Sequence, residues 1–152
     1  MKEVTFLDNY LNQLFYKKDT FNEVQNIEGK VFREYENRIT KQFEAQNKKY
    51  FIKFHGPVGW REIFKNLFQI KTPVIGAQRE YEALNHLSKN NINCPQIKGF
   101  GKKGINPANS SSFIITEELY GTLSLEEFFL RNLHKNLSFN QKYNLIKASA
   151  SI

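Results

Sequence analysis

A chain of 152 residues is long enough for one domain with a real core, or one domain plus an appendage, and its 40% hydrophobic content with fourteen phenylalanines argues against disorder. No apolar run approaches the roughly 20 residues that cross a bilayer, and Met1-Lys2-Glu3 leads into no apolar leader, so neither a span nor a secretory signal is expected. The net charge of +7 calls for an acidic partner, which nucleic acid, anionic lipid headgroups and phosphorylated substrates could each provide.

The single cysteine, Cys94, excludes an internal disulfide framework and fits a reducing cytoplasm. Before Pro95 it reads as a small buried hydrophobe rather than a nucleophile. From the N-terminus, Phe6, Leu7, Tyr10, Leu11, Leu14 and Phe15 fall at helical spacing. Asp19 or Thr20 can cap a second short helix through Phe21 and Val24, which Gly29 stops. Residues 1–30 are therefore expected to be a helical arm packed on the next domain. From Val31 the period becomes two. Val31 to Glu36 and Ile39 to Ala45 form an antiparallel pair about a turn at Asn37-Arg38, and a second turn at Gln46-Asn47-Lys48 leads into a third strand.

That third strand, Tyr50-Phe51-Ile52-Lys53-Phe54-His55, puts Tyr50, Ile52 and Phe54 on one face and Phe51, Lys53 and His55 on the other. A lysine at its centre leaves two readings. Either Lys53 snorkels to water from an edge strand, or something anionic meets it, because a buried unpaired ammonium is costly. After Gly56-Pro57-Val58-Gly59, residues Trp60, Ile63, Phe64, Leu67 and Phe68 mark an amphipathic helix over Trp60 to Ile70. Arg61, Lys65 and the following Lys71 make either a solvated basic face or a surface turned to an anion. A helix from about Gly76 to Asn90 carries Ala77, Tyr81, Leu84 and Leu87 on one side, and at 100° per residue Glu80 turns inward with them. An inward glutamate after an inward lysine suggests an ion pair.

Gln96 to Phe100 reads as a short strand, residues 101–111 as a loop by turn composition, and Phe113 to Thr116 as an apolar strand ending in Glu117-Glu118-Leu119. Ser124-Leu125-Glu126-Glu127 has capping-box spacing for a helix through Phe128 and Phe129, and Ser138 begins another. His55, His86 and His134 are too scattered for a metal site.

Strand pair, lysine strand, glutamate helix, short strand, apolar strand and then helices follow the order of a protein-kinase-like small lobe, in which the lysine holds ATP phosphates and the glutamate holds the lysine. Five collinear segments carry a closer likeness: Val31-Phe32-Arg33-Glu34, Tyr50 to His55, Gly59 to Leu67, Pro73 to Glu80, and Ser112 to Leu119. With these the chain resembles the lipopolysaccharide core heptose (I) kinase family. The resemblance implies an α+β fold: an antiparallel sheet with a packed helix over residues 31–120, then the first helices of a truncated large lobe over 121–152. It implies ATP-dependent phosphorylation of the inner-core heptose in a Gram-negative bacterium, in the cytoplasm or on the inner face of the inner membrane.

By position, Lys53 would bind phosphate with Glu80 as its partner, and Thr116 would back the adenine pocket. Glu117 would offer a carbonyl and Leu119 an N–H to the adenine edge. The turn at Glu36-Asn37-Arg38 would cover the phosphates, although it has no glycine. The catalytic aspartate and the Mg2+ ligands would lie beyond Ile152, since nothing like a His-Arg-Asp or Asp-Phe-Gly motif occurs in the chain. The implied partners are the lipopolysaccharide core, a membrane surface met through Arg61, Lys65 and Lys71, and a separately encoded C-terminal half. The other reading is a non-catalytic basic module for nucleotide, anionic lipid or RNA. Against RNA, the aromatics alternate as core residues do rather than forming a stacking platform.

Overall fold

The computed structural model describes residues 2–15, 19–69, 76–123 and 125–150. The chain divides into two compact units, Met1–Glu118 and Leu119–Ile152.

The first unit is built on one six-stranded antiparallel sheet. Its strands are β1 (Lys2–Phe6), β2 (Lys30–Tyr35), β3 (Arg38–Ala45), β4 (Lys48–His55), β5 (Ile97–Lys103) and β6 (Ser111–Glu117), ordered β1-β5-β6-β4-β3-β2 across the sheet. The meander β2-β3-β4 turns at Glu36-Asn37 and Gln46-Asn47, where Glu36, Gln46 and Asn47 take positive φ. Arg38 is thus the first residue of β3 rather than a turn residue. Strand β2 is an edge. All six of its residues are exposed, and its pairing slips between Val31 and Arg33, leaving a bulge at Phe32.

Alternation along β4 works as expected. Tyr50, Ile52 and Phe54 are buried while Phe51, Lys53 and His55 face the other way, half-buried. The buried face joins Phe43, Ala45, Phe113 and Ile115 in the main core. Its cover is α1 (Asn9–Phe15) and α2 (Thr20–Asn26), which contribute the buried Leu11, Phe15, Phe21 and Val24. Asp8 accepts from the backbone N–H of Tyr10 and Leu11, and Asp19 from that of Asn22, so both aspartates cap helix starts.

Two expectations therefore change. The N-terminal segment is the back of the lobe, not an appendage, because its apolar stripe covers a sheet face that would otherwise meet water. It also supplies β1, whose Val4 and Phe6 pack on the main core. Residues 101–111 are not one loop: β5 runs through Lys103, a 3-10 turn spans Pro107–Asn109, and β6 begins at Ser111. Gly101 is a strand residue paired with Val4 and Phe113, and a Cβ there would lie 2.4 Å from the Phe113 ring.

On the opposite face lies α4 (Gln78–Lys89), where Tyr81 and Leu84 pack against Ala77, Phe100 and Ile114. The shorter α3 (Trp60–Phe68) buries Ile63 and exposes Trp60, Phe64 and Phe68. Lys71 and the segment Pro73–Ile75 lie outside the described residues. Cys94 is half-buried, its thiol 3.7 Å from the Leu84 carbonyl.

The second unit holds α5 (Leu125–Leu130), a 3-10 turn at Leu133–Asn136 and α6 (Phe139–Ala150). Ser124 falls outside the described residues. Ser138 caps α6 reciprocally, its N–H donating to Gln141 Oε1 at 2.8 Å while the Gln141 N–H donates to Ser138 Oγ at 3.3 Å.

Candidate functional site

The half-buried face of β4 is the floor of the site. Register across β3, β4 and β6 sorts it into rows: Gln42, Phe51 and Thr116, then Thr40, Lys53 and Ile114, then Arg38, His55 and Ser112. Residues directly opposite in antiparallel strands share a face, so each row is a line of side chains beneath whatever lies on the sheet.

In the middle row Lys53 Nζ donates to Glu80 Oε1 at 2.5 Å. Their side chains are 42% and 32% exposed, so the pair remains open to a ligand. The start of α4 is fixed to the sheet, with the Ala77 N–H donating to the buried Ser112 Oγ at 2.8 Å. Gly76 allows this approach. Its φ is +85°, and a Cβ would come within 2.5 Å of that same oxygen. Ser112 and Gly76 thus aim Glu80 at Lys53. Sequence reasoning assigned neither a role, because the contact joins positions 35 residues apart.

A cavity of about 240 Å³ opens beside the ion pair, lined by Arg33, Tyr35, Arg38, Ile39, Thr40, Lys53, Phe54, His55 and Glu80. Three permanent cations face one carboxylate, a composition suited to an anion carrying several charges. A larger cavity, about 480 Å³ around Leu7, Leu84, Asn91, Cys94 and Ile97, has no Lys, Arg, Asp or Glu in its lining and offers no such match.

The turn over the last row is braced. The Gly56 N–H donates to the Asn37 carbonyl at 2.6 Å, and the Asn37 side-chain amide donates to the Pro57 carbonyl. Asn37 therefore holds the turn to the exit of β4, where a glycine-rich loop would leave the backbone free.

At the other end of the face, Phe32 meets Phe51 edge-on at 5.2 Å and Gln42 Nε2 donates to Glu118 Oε1 at 2.7 Å. Thr116 is buried in the first row and Glu117 ends β6. The Glu117 carboxylate lies 2.7 Å from Lys98 and 3.5 Å from Lys48. Its hydrogen bond to Lys98 is the main cause that holds it below the usual carboxylate range, with the nearby lysine charges adding to it. Leu119 opens the second unit. Among the described residues no group of three or more His, Cys, Asp or Glu side chains could hold a metal ion.

The sequence profile described as "Lipopolysaccharide kinase (Kdo/WaaP) family" matches residues 22–151. Among curated proteins, the lipopolysaccharide core heptose(I) kinase WaaP of Escherichia coli K12 is 46% identical over 118 residues, covering 78% of this chain and 44% of that protein. The Pseudomonas aeruginosa protein of the same name is 39% identical over 122 residues, covering 80% and 46%. A solved structure, WaaP in complex with acyl carrier protein, superposes with a TM-score of 0.67 at 27% identity over 90% of this chain and 48% of its own. The chain thus spans less than half the length of the curated relatives it matches. With the kinase-like lobe, the lysine–glutamate pair and a profile match over most of its length, the chain belongs to the lipopolysaccharide kinase (Kdo/WaaP) family.

Proposed function

We propose that this chain is the nucleotide-binding part of a lipopolysaccharide core heptose kinase. The observation that carries the reading is the Lys53–Glu80 pair at 2.5 Å on the wall of a cation-rich cavity. Lys53 meets the α- and β-phosphates of ATP, and Glu80 fixes where that charge sits. The adenine lies over the row of Phe51 and Thr116, with the Glu117 carbonyl at its edge. Arg38 and the braced turn at Asn37 close over the phosphates. Bound ATP supplies the phosphoryl group, and the acceptor is a heptose hydroxyl of the lipopolysaccharide core, as the names of the relatives suggest. In this reading the acceptor-orienting aspartate and the Mg2+ ligands belong to a part of the kinase outside these 152 residues, whether continuous or separately encoded. Asp8 and Asp19, the two aspartates present, are spent on helix caps. Family membership favours this over a non-catalytic basic module.

Titration of the full chain with a fluorescent ATP analogue is the test. Lys53→Met should weaken binding at least tenfold, since a hydrogen bond to a charged group is worth about 1.5–3 kcal/mol. Equal affinity in the variant would overturn the reading. Phosphate transfer to lipopolysaccharide core by residues 1–152 alone would overturn the assignment of the aspartate elsewhere.

One observation also favours a membrane surface as a partner. On α3, Trp60 and Phe64 stack at 5.8 Å and, with Phe68, stand 51%, 53% and 88% exposed beside the exposed Arg61 and Lys65. Aromatics flanked by cations suit the headgroup layer of an anionic bilayer, which would place the chain on the inner face of the inner membrane. Co-sedimentation with phosphatidylglycerol vesicles should be lost in Trp60→Ala/Phe64→Ala. Undiminished sedimentation would exclude α3 as the contact.

A further inference from the structure

We infer that His55 is a further phosphate-binding residue of this site, and that the nucleotide enters together with a proton. The inference rests on the nucleotide reading above and adds a ligand that the kinase-like pattern does not supply.

Position comes first. His55 lies two residues beyond Lys53 on the same face of β4, about 6.7 Å further along the strand, and lines the same cavity. The braced turn stands over it, because Arg38, the first residue after the turn, is its partner in register. A polyphosphate running along β4 from Lys53 towards the turn must pass the imidazole.

The surroundings come next. His55 faces Arg38 from β3, Lys53 from its own strand, Ser112 from β6 and Glu80 from α4, with Arg33 and Tyr35 of β2 lining the same cavity. The N-terminus of α4 is pinned to Ser112 and adds the positive end of its dipole. Burial first, then Arg38 and Lys53, push the imidazole below its ordinary value, and Glu80 opposes them only in part. The ring is therefore neutral at pH 7 with the cavity empty. Its Nδ1 is buried with no hydrogen-bond partner. A ligand in the cavity therefore meets the other ring nitrogen, Nε2.

A polyphosphate reverses the local field. Several negative charges among Arg33, Arg38 and Lys53 favour the imidazolium, which takes one proton from solvent and donates an N–H to a phosphate oxygen. When the nucleotide leaves, the proton returns to solvent and the balance closes.

Calorimetric titration of the full chain with ATP, in two buffers of different ionisation enthalpy at pH 7, counts the protons taken up. The wild-type chain should take up more than His55→Asn, by up to one proton per ATP. Uptake by ATP itself is common to both and cancels. One linked proton steepens the pH dependence of affinity by at most tenfold per unit, so the wild type should lose affinity between pH 6 and pH 8 more steeply than the variant. Equal uptake in the two proteins overturns the inference. If the variant does not fold, proton NMR of the wild type decides: one of the three histidines must titrate at higher pH with ATP present, and none doing so is equally fatal. ATP binding that depends on Lys53 but carries no extra proton sinks the inference alone. No ATP binding at either pH sinks the nucleotide reading with it.

Discussion

Lys53 and Glu80 could be paired from the sequence because each side chain's direction follows from a local period, two along the strand and 100° per residue along the helix. The parts they depend on could not be found that way. Ser112 entered only as the first residue of a matched segment, and its hold on Ala77 follows from a register between β6 and β4 that only the assembled sheet defines. His55 is similar: its phase was clear, but not its place beside Arg38 and under the turn. Glu117 was noted for its backbone carbonyl, while its carboxylate turns out to bridge Lys98 and Lys48. That bridge has a pH signature. A carboxylate whose pKa is lower folded than unfolded contributes stability that is fully present above the unfolded value, 4.5 here, and lost as pH falls through the folded one. Urea unfolding of the wild type should weaken in that acid range more than unfolding of Glu117→Gln. Parallel curves for the two would show that the bridge contributes nothing.

At the level of elements, the three-strand meander and the helices α1, α2 and α4 followed their patterns, with ends displaced by a few residues. Turn composition suggested a loop from Gly101, but Gly99 and Gly101 are glycines because the rings of Phe6 and Phe113 occupy the space where their Cβ atoms would lie. Absence of a side chain marks close packing there as well as a turn. β1 was hidden within the start of a helical pattern, although Val4 and Phe6 alternate as a strand requires. Leu11, Phe15, Phe21 and Val24 of the N-terminal segment also belong to the main core. Phe15 is 2% exposed and stacks on Phe6 at 5.6 Å. Phe15→Ala should therefore cost about 3–5 kcal/mol in chemical unfolding, as in a domain centre, and a loss below about 1 kcal/mol would return the segment to appendage status.

For the whole molecule, the two units differ in what they bury. The first centres on Tyr50, Ile52, Phe113 and Ile115, each at most 2% exposed. In the second, Leu130, Phe139, Tyr143 and Ile146 all stand more than half exposed. A helix of 12 residues such as α6 is marginal in water without a packed face. Amide hydrogen exchange of the chain should therefore be fastest over residues 125–150 and slowest over Phe51 to Phe54, and equal protection would show that α6 is stable unaided. The open flank of the sheet has a different consequence. A flat outer strand with unpaired main-chain groups is a template on which copies can add end to end into fibrils. β2 spoils that template, since the bulge at Phe32 breaks the repeat a neighbour would have to match, and Lys30, Arg33 and Glu34 put charge along the rim. The irregular edge thus disfavours strand addition by a neighbouring molecule at β2.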